Sequence, residues 1–209
     1  MKYPRTPHLP WSPGVSKDDI ILNKPKHLLS LPKVIYTEKL DGEITCMTSD
    51  YIHARSAEGY NKPWQSHMKA KWVSSLRYNI PKGLQLFGEN LFGVHSIKYE
   101  FLPEFFFLFN IIKDNKFFLS WEEVKEISLL MTIPVVPIIK IGKLEELLIP
   151  TKSSFGSTCE GYVVRNILGF NIENFNLNVA KCVKANHITT DKYWTQNWKK
   201  AKLFKGEEK

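Results

Sequence analysis

The sequence predicts an α+β fold. Apolar stretches with the composition of β-strands outnumber the amphipathic helical stretches, and the two kinds are mixed along the chain. The 209 residues are enough for one sizeable core with at most a small appendage. Hydrophobic residues make up 43% and charged residues 24%, a balance typical of a globular protein that excludes a disordered chain.

The elements follow from local patterns. Residues 1–33 carry many prolines and lysines with little periodicity, so we expect an extended N-terminal arm with a short helix near residues 26–31, and a main domain over residues 34–209. Strand patterns occupy seven stretches, namely residues 34–39, 44–47, 51–55, 85–89, 105–112, 161–165 and 179–183. Helices are predicted over residues 66–78, from Ser120 onward where a capping box begins, and over residues 191–202 as a basic terminal helix.

The charge and the cysteines restrict the setting. The net charge of +8 and the pI near 9.3 favour a polyanionic partner. Three cysteines without a CxxC pair indicate neither a disulfide framework nor a zinc site, so we expect a reducing, cytoplasmic location. The apolar runs are shorter than the ~20 residues of a membrane helix, and no membrane association is expected.

The strongest chemical signal is the sequence KLDG at residues 39–42, at the end of the first predicted strand. A lysine fixed by a strand can act as a nucleophile, and a glycine lets the backbone turn close to a phosphate. Lys39 must lose its proton to attack at neutral pH, which nearby cations or burial can arrange. The alternative is an ordinary surface turn, because Asp-Gly is a common turn pair.

Further charged residues favour a catalytic lysine over an ordinary surface turn. Glu89 and Glu160 lie at strand ends, while Arg165, Lys181 and Lys184 occur late in the chain. Two acids that can hold Mg²⁺ and several cations that can neutralise phosphate charge are the groups that phosphoryl transfer requires.

In this order the motifs resemble those of the covalent nucleotidyltransferases, which include DNA ligases, RNA ligases and mRNA capping enzymes. The segments TEK at residues 37–39, HARS at 53–56, FGENL at 87–91 and KANHITTD at 184–191 are most similar to ATP-dependent RNA ligases. The resemblance covers roughly residues 34–195. It implies an adenylation domain with mixed, mostly antiparallel sheets flanked by helices.

The resemblance also implies catalytic roles. Lys39 would attack the α-phosphate of ATP and become attached to AMP, and Asp41 would orient the lysine or the metal. Glu160 would bind Mg²⁺, or Mn²⁺ in its place, and Glu89 is a second candidate ligand. Lys181, and less firmly Lys184, would contact the α-phosphate.

Nucleotide contacts are implied for further residues. Glu38 would meet adenine through its backbone, Arg55 would touch the sugar and a phosphate, and Glu89 would hold the ribose hydroxyls. Arg165 would face the phosphates. Phe109 would stack on adenine, although core packing is an equally ordinary fate for an aromatic residue in an apolar strand. The family usually has Asp after this aromatic residue, whereas this chain has Asn110.

The expected activity is an RNA ligase that joins 3′-hydroxyl and 5′-phosphate RNA ends through lysyl-AMP and RNA-adenylate, acting as a monomer. Alternatives are a small DNA ligase, a capping-type guanylyltransferase, or a non-catalytic protein that binds RNA ends. The 25 residues after Lys184 are too few for an OB-fold domain, which favours a minimal RNA ligase. His95 and His187 stay unassigned, and Trp194 and Trp198 could either stack on bases or pack inward.

Overall fold

The computed structural model describes residues 1–56, 59–185 and 194–204. Most of the segment KANHITTD, including His187, and the beginning of the predicted terminal helix lie outside the described residues.

Two antiparallel sheets form the centre of the molecule. The four-stranded sheet has the order β11-β9-β1-β8. Its strands are β1 (Val34–Glu38), β8 (Ile138–Gly142), β9 (Gly161–Asn166) and β11 (Val179–Val183). All five residues of β1 are buried, because its neighbours pair with it on both sides and both of its faces are covered.

The six-stranded sheet has the order β10-β7-β6-β4-β2-β3. Its strands are β2 (Glu43–Met47), β3 (Ile52–Ala54), β4 (Leu84–Asn90), β6 (Phe106–Lys113), β7 (Phe117–Phe118) and β10 (Phe170–Asn171). The pairing of β4 with β6 runs from Phe87 opposite Asn110 to Gly88 opposite Leu108, so Phe109 is an extra residue at a β-bulge. The α+β class and the antiparallel pairing are confirmed.

The helices are short and pack in the cores of both sheets. They are α1 (Lys26–Ser30), α2 (Ser66–Lys71), α3 (Arg77–Asn79), α4 (Trp121–Leu130) and α5 (Phe175–Asn178), and a π-helical turn, Trp72–Leu76, joins α2 to α3. The capping box at α4 is confirmed, because the Ser120 backbone N–H donates to Glu123 Oε2 at 2.8 Å and the Glu123 N–H donates to Ser120 Oγ at 3.3 Å.

The prediction of a terminal helix is wrong for the part that the structure describes. Trp194–Gln196 is a single 3₁₀ turn, and β12 (Lys199–Lys200) pairs with β5 (Gly93–Val94). Trp198 packs against the main core, and the Ala201 N–H donates to the carbonyl of Phe92 at 2.9 Å. Inward packing of Trp198 and pairing with another strand therefore override the helical pattern.

The N-terminal arm lies along the free edge of β11. The N–H of Leu9 donates to the carbonyl of Lys181, and the N–H of Lys181 donates to the carbonyl of Pro7, both at 2.8 Å. Tyr3 and Leu9 are buried in cores that also contain residues of the strands. The arm therefore packs as part of the domain and covers an otherwise open sheet edge.

Candidate active site

A cavity of about 960 Å³ lies between the two sheets. The four-stranded sheet contributes Thr37, Val163 and Lys181, which are paired across β1, β9 and β11 and so share one face. The larger sheet contributes Ile44 and Glu89, which are paired across β2 and β4. Seven of the expected site residues line this cavity, namely Glu38, Lys39, Arg55, Glu89, Phe109, Arg165 and Lys181.

Lys39, which lines this cavity, contacts Glu160, which lines a neighbouring pocket. Its Nζ donates to the two carboxylate oxygens of Glu160 at 2.7 and 2.6 Å. The N–H of Lys39 donates to the carbonyl of Gly161 at 2.9 Å, so backbone pairing holds the lysine beside the glutamate. The sequence separates these two residues by 121 positions, and antiparallel pairing of β1 with β9 brings them together.

The protonation of Lys39 differs from the expectation. Burial alone would lower its pKa, but Glu160, Glu89 and Asp41 outweigh burial and raise the pKa above its ordinary value. The expectation that cations or burial lower this pKa is therefore wrong, because the neighbouring acids decide the direction of the shift. The lysine is held here as an ammonium, because its closest charged neighbours are acids.

Glu89 carries an unusual charge balance. Burial and the nearby Glu160 and Asp41 raise the pKa of Glu89 to about 8, although Lys39 and the Gly42 N–H act in the opposite direction. Its Oε1 accepts a hydrogen bond from the N–H of Gly42 at 3.1 Å, which ties the turn after Lys39 to β4.

Asp41 anchors the turn after Lys39. Its Oδ2 accepts hydrogen bonds from the backbone N–H groups of Ser96 and Ile97, both at 2.7 Å. Its own N–H donates to the hydroxyl of Tyr99 at 2.7 Å. Gly42 permits close packing here, because a Cβ would lie 2.6 Å from the carbonyl oxygen of Asn90. The glycine thus permits close contact between β4 and the turn, and it also lines the cavity.

One carboxylate oxygen of Glu38 accepts a hydrogen bond, and the other has no hydrogen-bond partner among the described residues. Its Oε2 accepts a hydrogen bond from the Ser154 N–H at 2.9 Å, while its buried Oε1 has no hydrogen-bond partner among the described residues. Its backbone N–H donates to the carbonyl of Pro137 at 2.8 Å. The side chain of Glu38 can therefore accept a hydrogen bond from a ligand, whereas its backbone N–H already donates to Pro137.

Phe109 owes its position to the β-bulge. As the extra residue of β6 it lines the cavity half-buried, and its ring meets Tyr3 edge-on with 5.3 Å between centroids. The next residue, Asn110, donates to the Tyr3 hydroxyl at 2.5 Å. The bulge thus supplies an aromatic face at the cavity wall, and Asn110 is buried beneath it.

The two expected arginines differ in their contacts. Three donors of Arg165 are engaged within the fold, with Asn110 Oδ1, with the carbonyl of Leu119 at 2.6 Å and with the carbonyl of Asn166 at 3.0 Å. Burial lowers its pKa to about 10. Arg55 also lines the cavity, and its buried Nε has no hydrogen-bond partner among the described residues. Arg55 therefore fits a phosphate contact better than Arg165 does.

The two late lysines lie in different places. Lys181 lines the main cavity with its Nζ 3.7 Å from Asp19 Oδ1, and its pKa is lowered, chiefly by burial and in part by Lys39. Lys184 lines a neighbouring pocket of about 630 Å³ that also includes Glu160, and its Nζ donates to the carbonyl of Thr151 at 3.2 Å.

Sequence patterns did not reveal several residues at this site. Arg5 and Asp19 of the arm line the cavity, and Asp19 contacts Lys181 across 162 positions of sequence. His95 also lines it, and burial with the charge of Lys39 lowers its pKa to about 4 despite Asp41. No local motif marks Arg5 or Asp19, and the sequence left His95 unassigned, because only the tertiary fold brings these residues to the cavity.

The acidic donors fit a divalent cation that ATP helps to hold. Glu160 and Glu89 offer the hard oxygen atoms that Mg²⁺ and Mn²⁺ prefer. Within the described ranges no group of three or more His, Cys, Asp or Glu residues could hold a metal ion. A cation bound through one or two carboxylates together with phosphate oxygens is compatible with this arrangement.

A model of the RNA ligase family matches residues 32–183. The chain belongs to the RNA ligase family. The matched region of the family runs from just before β1 to the end of β11, so it includes Lys39, Glu89, Glu160 and Lys181 but not Arg5 or Asp19. No curated protein matches the chain in a comparison of sequences.

Solved RNA ligase structures share this fold. A Naegleria gruberi RNA ligase with pyrophosphate is 19% identical with a TM-score of 0.57, and the match covers 88% of this chain and 58% of that one. A variant with ATP and Mn is 18% identical with a TM-score of 0.57 and coverages of 84% and 58%. A variant in the apo state is 16% identical with a TM-score of 0.58 and coverages of 90% and 58%. The chain thus spans less than two thirds of the length of these proteins.

Proposed function

We propose that this chain is an ATP-dependent RNA ligase whose nucleophile is Lys39 and which joins 3′-hydroxyl and 5′-phosphate RNA ends. Lys39 lines a cavity large enough for a nucleotide and contacts both carboxylate oxygens of Glu160 at the boundary with the neighbouring pocket, and this contact carries the proposal. Family membership supports it, and so does the presence of ATP and Mn in one matched Naegleria gruberi structure.

The first step forms lysyl-AMP. Lys39 gives up a proton to Glu160, the carboxylate that contacts it, and from there the proton passes to solvent. The Nζ then attacks the α-phosphorus of ATP, the bond from this phosphorus to the bridging oxygen breaks, and pyrophosphate leaves. Lys181 and Arg55 face the cavity as cations that can neutralise phosphate charge. A divalent cation held by Glu160, with Glu89 nearby, would supply further neutralisation when bound.

The two later steps transfer and release AMP. The RNA 5′-phosphate attacks lysyl-AMP to form RNA-adenylate and free Lys39, and the RNA 3′-hydroxyl then attacks this activated phosphate and releases AMP. In this proposal the adenine ring stacks on Phe109, and the adenine amino group donates a hydrogen bond to Glu38 Oε1; the support is that both residues line the cavity and that this oxygen has no hydrogen-bond partner among the described residues. Asp41 acts through the turn that it anchors and is a positioning residue.

The decisive experiment measures the covalent adduct. The protein is incubated with ATP and Mg²⁺ and its intact mass is determined. Lys39→Ala is expected to abolish the AMP adduct, because the nucleophile is gone, whereas Lys33→Ala, at an exposed position just before β1, is expected to keep it. An adduct of normal yield on Lys39→Ala would refute the assignment.

Substrate choice is tested in the same system. GTP in place of ATP, and nicked or single-stranded DNA in place of RNA, report the guanylyltransferase and DNA ligase alternatives. RNA binding without any adduct would indicate a non-catalytic protein that binds RNA ends.

A further inference from the structure

Pairing of the arm with β11 places Arg5 beside the cavity and close to Lys181. The paired hydrogen bonds that link Pro7 and Leu9 to Lys181, both 2.8 Å long, set the register between the arm and β11. Lys2, Arg5 and Thr6 of this segment all line the cavity. The arm is therefore one wall of the site rather than a peripheral extension.

Asp19 brings two cations together. Its Oδ1 lies 3.7 Å from the Arg5 guanidinium and 3.7 Å from Lys181 Nζ. Its Oδ2 accepts hydrogen bonds from the backbone N–H of Ser16 at 3.0 Å and from the Ser16 hydroxyl at 2.7 Å, which fix the carboxylate. Distances of 3.7 Å exceed those of direct hydrogen bonds, so the donors of both cations remain available to an anion in the cavity.

The charge at this wall differs from that around Lys39. At Lys39 one ammonium is paired with Glu160, and Glu89 lies nearby. At the arm, one carboxylate faces both Arg5 and Lys181, which leaves an excess of positive charge. ATP carries more negative charge than the AMP that stays on the lysine, and its β- and γ-phosphates require partners only until pyrophosphate departs.

We propose that Arg5 binds the pyrophosphate portion of ATP during lysyl-AMP formation, with Asp19 holding Arg5 next to Lys181. This proposal rests on the proposed ligase function. In the step that Arg5 assists, the Lys39–phosphorus bond forms, the bond to the bridging oxygen breaks and pyrophosphate carries away the electron pair. Arg5 is unchanged, and it has no partner phosphate in the later steps.

The test separates the first step from the last. Single-turnover adenylylation by ATP is compared with sealing of RNA that already carries a 5′-adenylate, for wild type, Arg5→Ala and Arg5→Lys. Lys24→Ala, an exposed arm lysine that does not line the cavity, is the matched control. Arg5→Ala is expected to slow adenylylation about tenfold or more, as the loss of a charged hydrogen bond implies, and to leave sealing of adenylated RNA within about twofold of wild type. Arg5→Lys is expected to recover part of the loss.

A second measurement uses pyrophosphate itself. Pyrophosphate reverses the first step by removing AMP from the adenylated enzyme, and Arg5→Ala is expected to raise the pyrophosphate concentration needed about tenfold. Equal slowing of adenylylation and sealing would overturn the proposal in favour of a structural role, and so would unchanged adenylylation. Failure of wild-type protein to seal adenylated RNA would instead refute the ligase function, which keeps the two hypotheses distinguishable.

Discussion

Burial and neighbouring acids make the charged form of Glu89 unfavourable in the folded protein, but the same cluster of acids suits a site that binds a cation. A carboxyl group in a half-buried position beside Glu160 and Asp41 holds its proton to a pH of about 8. The same closeness of acids that destabilises the charged form is what a cation-binding nucleotide site requires. The residue pattern alone gave the identity of these acids but not their protonation, since protonation depends on distances that only the fold defines.

The pH dependence of stability tests this balance. The pKa of Glu89 is raised in the folded protein from 4.5 to about 8, so the folded state binds a proton that the unfolded state has released over this window. Stability is therefore expected to fall as the pH rises from about 4.5 to about 8, and Glu89→Gln removes this loss. In the presence of a chelator, the Tm of Glu89→Gln relative to wild type is expected to increase from about pH 5 to about pH 8 and to level off above that pH.

The matched control for this measurement is Glu126→Gln on the exposed side of α4. Its Tm difference from wild type is expected to stay constant across the same range. A constant difference for Glu89→Gln as well would show that Glu89 is ionised in the folded protein throughout.

Among the elements, the long patterns were predictable and the short ones were not. The strands at Val34–Glu38, Gly161–Asn166 and Val179–Val183 and the capped helix α4 follow from local sequence. Strand β8 was not predicted because prolines interrupt its surroundings, and it forms by pairing with β1. The two-residue strands likewise carry too little local signal to be recognised.

The same reasoning explains the site residues. Lys39, Glu89, Glu160 and Lys181 could be proposed from the sequence because each belongs to a motif along the chain. The bulge that aims Phe109 at the cavity and the pairing that brings Arg5 and Asp19 to Lys181 are tertiary features. Contacts between the arm and β11 cannot be predicted from a local motif, because the paired residues are far apart in the sequence.

The close pairing of β4 with β6 gives a prediction at the level of the element. A Cβ on Gly88 would lie 2.2 Å from the Phe106 ring and 2.6 Å from the backbone oxygen of Phe107, so the two strands would have to move apart. The glycine therefore makes room for β6. Gly88→Ala is expected to lower the free energy of unfolding by about 1–3 kcal/mol, measured by urea denaturation.

Gly142→Ala on β8 is the matched control, because a Cβ there would meet only Lys140 Cε at 3.5 Å, an ordinary contact. It is expected to change the free energy of unfolding by less than about 0.5 kcal/mol. Equal stability of Gly88→Ala and wild type would show that the sheet yields at this position without cost.

In the molecule as a whole, two sheets enclose the cavity and the arm closes one side of it. The largest core lies with the six-stranded sheet and its helices, and a second core joins the four-stranded sheet to the arm. A third core contains residues of both sheets, among them Phe87 of β4 and Val179 of β11, and so joins the two sheets. No helix within the described residues is long and apolar enough to cross a membrane.

The net charge of +8 gives the prediction for the whole molecule. A basic protein that contacts several RNA phosphates releases bound counterions, so its affinity falls steeply as salt rises. Between 50 and 200 mM monovalent salt, the affinity for a single-stranded RNA with a 5′-phosphate is expected to fall by at least about tenfold. Fluorescence anisotropy measures the affinity, and the Tm recorded in the same buffers controls for unfolding. An affinity that does not change with salt, at an unchanged Tm, would show that the excess lysines and arginines do not contact RNA phosphates.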